Sequence, residues 1–202
     1  DLILCEDTRV TKKLLNHYNI KTPVQSYHQH SKFKKVNYIL NLLKQGKNLA
    51  LVSDSGTPGV SDPGSKLISE LISNELTSKV KVVPIPGPNA LIAAASISGF
   101  SMNKFLFLGF PPHKKGRKKF FREVADSKYP IIIYESPHRI LKTLKELDLA
   151  FQVSGYRFRV VVCRELTKKF ETIYRGEIKK IIEQLEKEKP KGEFVIIINK
   201  KK

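Results

Sequence analysis

"LVSDSGTPGVSDPG", residues 51–64, leaves the apolar run Leu49, Ala50, Leu51 and Val52 through three glycines and two prolines. Glycine supplies positive φ, proline fixes φ, and serine and aspartate bond nearby backbone amides, so a long turn is one reading. A ligand loop is the other. The stretch is long for a strand-to-helix connection. It closes on Asp62-Pro63, a helix N-cap followed by a proline suited to the first helical position. Leu67, Ile68, Leu71 and Ile72 then recur at helical spacing. Strand, glycine loop and helix in succession make the kind of crevice in which open α/β sheets bind ligands.

A second exit of the same kind is "VVPIPGPNALIAAA", 82–95. Pro84, Pro86 and Pro88 stiffen it, Gly87 permits close backbone approach, and a helix from Pro88 offers free amides. Loops 53–64 and 84–90 from neighbouring parallel strands are expected to face one crevice. Strands are predicted over 2–5, 48–53, 80–84, 104–109, 130–135, 158–164, 170–174 and 193–199. Helices are predicted over 8–18, 33–45, 63–74, 88–98, 116–126, 137–147 and 177–187. This alternation means α/β. After residue 100 the pattern changes, because "RFRVVVCREL" and "KFETIYRG" read as an antiparallel pair. The expected domains are 1–101, with a mostly parallel sheet, and 102–202, with a mixed sheet.

The 202 residues are 41% hydrophobic, enough for a core, and no apolar run reaches the length of a membrane span. Cys5 and Cys163 each end an apolar run, which suits buried thiols in a reducing cytosol. No metal-ligand spacing appears; His28-Gln29-His30 is the one close histidine pair, and a loop explains it as well as a ligand does. The net charge of +18 implies a polyanionic partner or solvated basic faces. It concentrates in "PHKKGRKKFFRE", 112–123, where Lys114, Lys115, Arg117, Lys118, Lys119 and Arg122 are the expected phosphate contacts, beside Phe120 and Phe121. Gly59-x4-Gly64 is followed by Ser65-Lys66, not by Lys then Ser or Thr, which excludes a P-loop.

Charged residues cluster at three further strand ends. "CEDTR", 5–9, carries Glu6 and Asp7, with Thr8 placed to cap a helix; "YESPHR", 134–139, carries Glu135, with Ser136-Pro137 as the cap; "CRELTKKFE", 163–171, carries Arg164 and Glu165. Caps and salt bridges account for these as well as chemistry does.

Taken in order, "EDTR", "SYHQHS", "LVSDSGTPGVSDPG", "PIPGPNALIAA", "FLGFPP", "YESPHR", "RELTKKFE", "RGEI" and "GEFVIII" resemble the ribosomal small-subunit RNA cytidine-2′-O-methyltransferase family of the tetrapyrrole-methylase superfamily. The resemblance runs from residue 1 to about 199. It implies a two-domain α/β fold with S-adenosylmethionine in the cleft between domains. Thr57 and Val60 would lie beside the cofactor with their loop neighbours Ser53, Asp54, Gly56, Pro58 and Ser61, as would Asn89 and Ala90 with Pro86 and Gly87. Tyr134, Glu135, Cys163, Arg164, Gly192 and Glu193 would close over it. The acceptor would be a ribose 2′-hydroxyl, for which Glu6, His28 and Glu135 are candidate bases by chemistry alone. The implied partners are ribosomal RNA or the small ribosomal subunit and a second copy of the chain, in the cytoplasm, with no membrane and no metal. Members begin with a further strand and helix carrying a loop such as "TPIGN", so a segment ahead of Asp1 is expected. Two rival readings remain at this stage: methylation of a tetrapyrrole or other small anion, and a non-catalytic RNA-binding module.

Overall fold

In a computed structural model of the chain, residues 1–28, 33–62 and 64–201 are described. Gln29 and His30 of the histidine pair, Pro63 of the expected cap and Lys202 lie outside them. The chain divides into two compact units, Asp1–Asn89 and Ala90–Lys202.

The first unit is built on strand β1 (Leu2–Cys5), flanked in parallel by β2 (Val24–Ser26) and β3 (Leu49–Leu51). Ile3 stands opposite Val24 on one side and Ala50 on the other. Helix α1 (Thr8–His17) connects β1 to β2, and α2 (Phe33–Lys44) precedes β3. Helix α3 (Gly64–Ser73) follows the glycine loop. Leu4, Tyr27, Val36, Ile39, Leu67 and Leu71 form the buried core on which α2 and α3 close. Asp7, not Thr8, caps α1: its carboxylate accepts from the Arg9 amide at 2.8 Å and from the Arg9 guanidinium. These bonds hold the Asp7 carboxyl well below the usual carboxylate range.

The expected strand 80–84 is irregular. Val82 and Val83 are about half exposed, no described strand lies beside them, and Pro84, Pro86 and Pro88 have no N–H to give a ladder. Conversely, β2 is a strand of three residues whose short "VQS" carries too little periodicity to be seen in the sequence.

The second unit holds a five-stranded mixed sheet of order β4 (Leu106–Phe107), β5 (Ile131–Glu135), β8 (Phe194–Lys200), β6 (Phe158–Arg164), β7 (Thr172–Gly176). Only β4 and β5 are parallel; the remaining pairs are antiparallel. Alternate side chains serve opposite faces. Ile131, Ile133, Val160, Val162, Ile196 and Ile198 join the core under α5 (Arg117–Asp126), α6 (Ile140–Ser154) and α7 (Ile178–Glu188). Ile132, Val161, Cys163, Val195 and Ile197 pack against Leu91, Ala94 and Ala95 of α4 (Ala90–Ile97). That second face explains why the units divide between Asn89 and Ala90, ahead of the 101/102 division expected from sequence: α4 is a layer of the second sheet. Helix α6 begins after the turn 136–139 and runs to Ser154, where Gly155 at φ 71° ends it. No helix among the described residues is long and apolar enough to cross a membrane.

Candidate functional site

Because β1, β2 and β3 are parallel, the segments that leave their carboxyl ends gather at one edge of the first unit. Glu6 comes directly after β1, His28 lies two residues beyond β2, and the loop from Ser53 comes after β3. Ser53 folds that loop by donating from Oγ to the carbonyls of Ser55 at 2.9 Å and Gly56 at 3.1 Å. The Thr57 hydroxyl donates to the Pro88 carbonyl at 3.1 Å, so the two glycine–proline loops meet. A Cβ added at Gly56 would lie 3.5 Å from that same carbonyl. The first residue of α3 is crowded by both the loop and the strand: a Cβ on Gly64 would come within 3.1 Å of the Gly59 backbone and 2.8 Å of Leu51 in β3. At Gly87 the position is open, with nothing closer than 3.9 Å to an added Cβ. Among the described residues, the backbone amides of Gly56, Thr57, Val60 and Gly87 donate to no protein group.

Asp62 lies within electrostatic reach of two other carboxylates in this edge. Burial pushes its carboxyl up to about 6, the charges of Glu6 and Asp54 act in the same direction, and a hydrogen bond from Ser53 opposes them. A carboxyl whose folded pKa exceeds its ordinary 3.8 disfavours ionisation in the fold. The stability it contributes is full below pH 3.8 and is lost as pH rises through about 6. Asp62→Asn is therefore expected to be more stable than the wild type at pH 8, by about 1 kcal/mol after allowing for solvent screening. The difference should vanish toward pH 4. Urea unfolding at both pH values checks it; an equal difference at the two would mean that the charge is not its source.

In the second unit, the carboxyl ends of β5 and β6 and the amino end of β8 share an edge, since Glu135 and Arg164 both stand opposite Phe194. Tyr134, Glu135, Cys163, Arg164, Gly192 and Glu193 are thereby brought together. The Tyr134 hydroxyl accepts from the Leu91 amide at 3.1 Å and so caps the first turn of α4. Arg164 donates to the Lys191 carbonyl at 2.8 Å. Lys168 bridges Glu165, at 3.0 Å, and Glu193, at 2.7 Å. Glu165 also accepts from the Glu193 amide at 2.8 Å. Gly192 lies at φ 88°, where other residues are strained, and a Cβ there would also displace the Glu165 side chain, whose Oε1 would lie 2.6 Å away. Cys163 is otherwise disposed: its side chain is buried against the face that α4 covers, and burial pushes its thiol up to about 11.

A model of the tetrapyrrole (corrin/porphyrin) methylases matches residues 1–182. The chain belongs to the tetrapyrrole (corrin/porphyrin) methylase family. Relatives named ribosomal RNA small subunit methyltransferase I are 40% identical in Thermotoga maritima, over 100% of this chain and 87% of that protein. In Synechocystis the figures are 42%, 98% and 69%, and in Mycoplasmopsis pulmonis 44%, 98% and 85%. The fold of this methylase is shared with two solved structures. One is a cobalt precorrin-4 methyltransferase of cobalamin biosynthesis, with TM-score 0.67 at 17% identity over 98% of this chain and 83% of that one. The other is the methyltransferase CobJ, with TM-score 0.63 at 16% identity over 98% and 93%.

Two expected site residues of this methylase lie in buried polar networks. Glu135, expected among the candidate bases, is 1% exposed and fully engaged. Its Oε1 accepts from the Ser136 amide at 2.7 Å and pairs with Arg139 at 2.8 Å; its Oε2 accepts from Thr143 at 2.6 Å. Arg117, expected on phosphate, is buried; it donates to the Pro112 carbonyl at 2.8 Å and to Thr143 at 3.0 Å, and it pairs with Glu146. Its guanidinium has turned inward because α6 presents acceptors beneath it. Arg139 holds the Pro111 carbonyl at 3.0 Å. The two arginines thus fasten both ends of "PP" and fix the stem of the basic loop. Phe121 is buried in the core, while Lys114, Lys115, Lys118, Lys119 and Arg122 are exposed. Thr143 and Glu146 are not legible in the sequence as members of this network; the sequence signal is the spacing of Arg139 and Thr143, one turn apart at the start of α6 and close behind Glu135 at the end of β5. No cluster of possible metal ligands occurs among the described residues.

Proposed function

We propose that this methylase transfers a methyl group from S-adenosylmethionine to a cytidine ribose 2′-hydroxyl in small-subunit ribosomal RNA, acting in the cytoplasm as a homodimer. The observation that carries the reading is the run of relatives named ribosomal RNA small subunit methyltransferase I, 40–44% identical over 98–100% of the chain. The open amides at Gly56, Thr57, Val60 and Gly87 fit a ligand read through adenine and amino-acid polar groups. When bound, S-adenosylmethionine supplies an electrophilic methyl on a sulfonium.

The residues of this chain then have separable tasks. The Thr57–Pro88 hydrogen bond holds the two loops at fixed spacing, and Tyr134 fixes the start of α4 next to Asn89 and Ala90. Glu6 and His28, at the strand-end edge of the first unit, remain the candidates to receive the hydroxyl proton. Lys114 and Lys115 on the braced loop, with Lys118, Lys119 and Arg122 on the following α5, offer the phosphate backbone a set of exposed cations.

The test is incubation of the protein with methyl-labelled S-adenosylmethionine and small ribosomal subunits. The expected product is RNA carrying one alkali-resistant dinucleotide at a cytidine. Label in no RNA, from protein that binds the cofactor, overturns the reading; label in a tetrapyrrole replaces it.

A further inference from the structure

The second unit has another edge, opposite to the one that carries Arg164 and Glu193. There the amino end of β6, the carboxyl ends of β7 and β8, and the first turn of α7 surround a groove of about 830 Å³. Five cations line it: Arg157, Arg159, Arg175, Lys179 and Lys201, against two carboxylates, Asp148 and Glu177. They converge from three stretches that are distant in sequence, 157–159, 175–179 and Lys201, so the charge is assembled by the fold and not by one lysine-rich run. Asp148 is already held, accepting from Gln152 at 2.8 Å. Arg175 is oriented by the Ile97 carbonyl at 2.8 Å, and the Lys201 amide ties to the Arg157 carbonyl at 2.8 Å.

The groove is also aromatic. Phe151 and Phe158 stack with centroids 3.9 Å apart in its floor. Tyr156 stands on its rim, 54% exposed, with the Lys200 ammonium 3.0 Å from its ring centroid. A small carboxylate ligand would need cations alone. A half-exposed ring steadied by a cation and set among guanidinium groups suits a ligand that presents phosphates and flat bases in turn.

We propose that this groove is a second binding site for RNA, taking a single-stranded segment of the substrate with its phosphates on Arg157, Arg159 and Lys179 and a base stacked on Tyr156. The inference rests on the ribosomal RNA reading and adds to it a docking surface separate from the loop at 113–122. The two surfaces would let a short substrate be held on both sides of the folded sheet, so that losing either weakens RNA binding without touching the cofactor loops.

The test compares whole-chain variants on a fluorescein-labelled single-stranded RNA of about 20 nucleotides, longer than one ordinary site. Arg157→Ala combined with Arg159→Ala and Lys179→Ala is expected to weaken binding about tenfold or more at low salt, with the log–log salt slope shallower by about 0.7 for each phosphate released from a side chain. Tyr156→Ala is expected to weaken binding roughly fivefold with the slope unchanged, as removal of a stacked base requires. S-adenosylmethionine affinity should be the same in all. Wild-type RNA affinity and slope in these variants overturn the groove; if Ala at Lys114, Lys115, Lys118 and Lys119 does reduce them, the RNA reading stands without it. A wild-type chain that binds the cofactor but no RNA overturns both. Variants that sediment as a smaller species while keeping RNA affinity also overturn the proposal, and assign the groove to contact between copies of the chain.

Discussion

Leucine in place of Gly87 is expected to lower S-adenosylmethionine affinity by about a hundredfold, close to 2.7 kcal/mol, while the protein keeps its unfolding midpoint. The asymmetry follows from the surroundings of this residue. Its φ lies outside the left-handed region, and an added Cβ would meet nothing nearer than 3.9 Å. The fold therefore does not need glycine here. The need comes from the ligand that would occupy the space in front of the Gly87 amide, which donates to no group among the described residues. A branched side chain would fill that space and bar a ligand from the backbone. Calorimetric titration of folded Gly87→Leu measures it; undiminished affinity would reduce the second glycine–proline loop to a turn. Gly64→Leu gives the contrasting pattern, because its Cβ would meet Leu51 at 2.8 Å and the backbone of Gly59 at 3.1 Å, so there the fold should suffer first.

Glu135→Ala is expected to cost the protein about 3–5 kcal/mol of stability, the range for removing one partner of a buried ion pair. The carboxylate side chain is wholly buried, and its removal strands the Arg139 guanidinium, which is 17% exposed, the Ser136 amide and the Thr143 hydroxyl together. Thr143 passes the damage to Arg117, which donates to it at 3.0 Å. Glu135→Gln keeps one acceptor oxygen for either Ser136 or Thr143 and sets an NH2 group where the other oxygen accepted, so it should fall about halfway between. Denaturant unfolding with turnover measured on the folded fraction separates this role from a chemical one. A base at Glu135 would give the reverse result, with ordinary unfolding and lost turnover in both variants. The bracing role also predicts that RNA affinity falls together with stability, since Arg139 and Arg117 hold the stem of the basic loop through the carbonyls of Pro111 and Pro112.

Much of this could be read from the chain alone, for local reasons. The α/β class follows from apolar runs alternating with helical periodicity, and "FVIII" from Phe194 to Ile198 is apolar throughout because β8 is buried on both faces. The two glycine–proline loops announce themselves because proline and glycine end regular structure locally, whichever of them the fold itself requires. The sequence could not state which partner each polar group finds. Arg117 and Lys118 are neighbours in one basic run, yet one is buried on Glu146 and Thr143 and the other is in solvent. The difference is the angular position of each on α5 relative to α6, which only packing decides. The same holds for α4, whose small residues suit a helix anywhere but whose layer is set by the face of the second sheet against which Ala94 and Ala95 fit. The groove between the starts of β6 and α7 is the extreme case: its cations lie from Arg157 to Lys201, and no window of sequence contains them. Residue type and local spacing determine elements and loops; convergence of distant side chains exists only once burial has fixed the register of the strands and the facing of the helices.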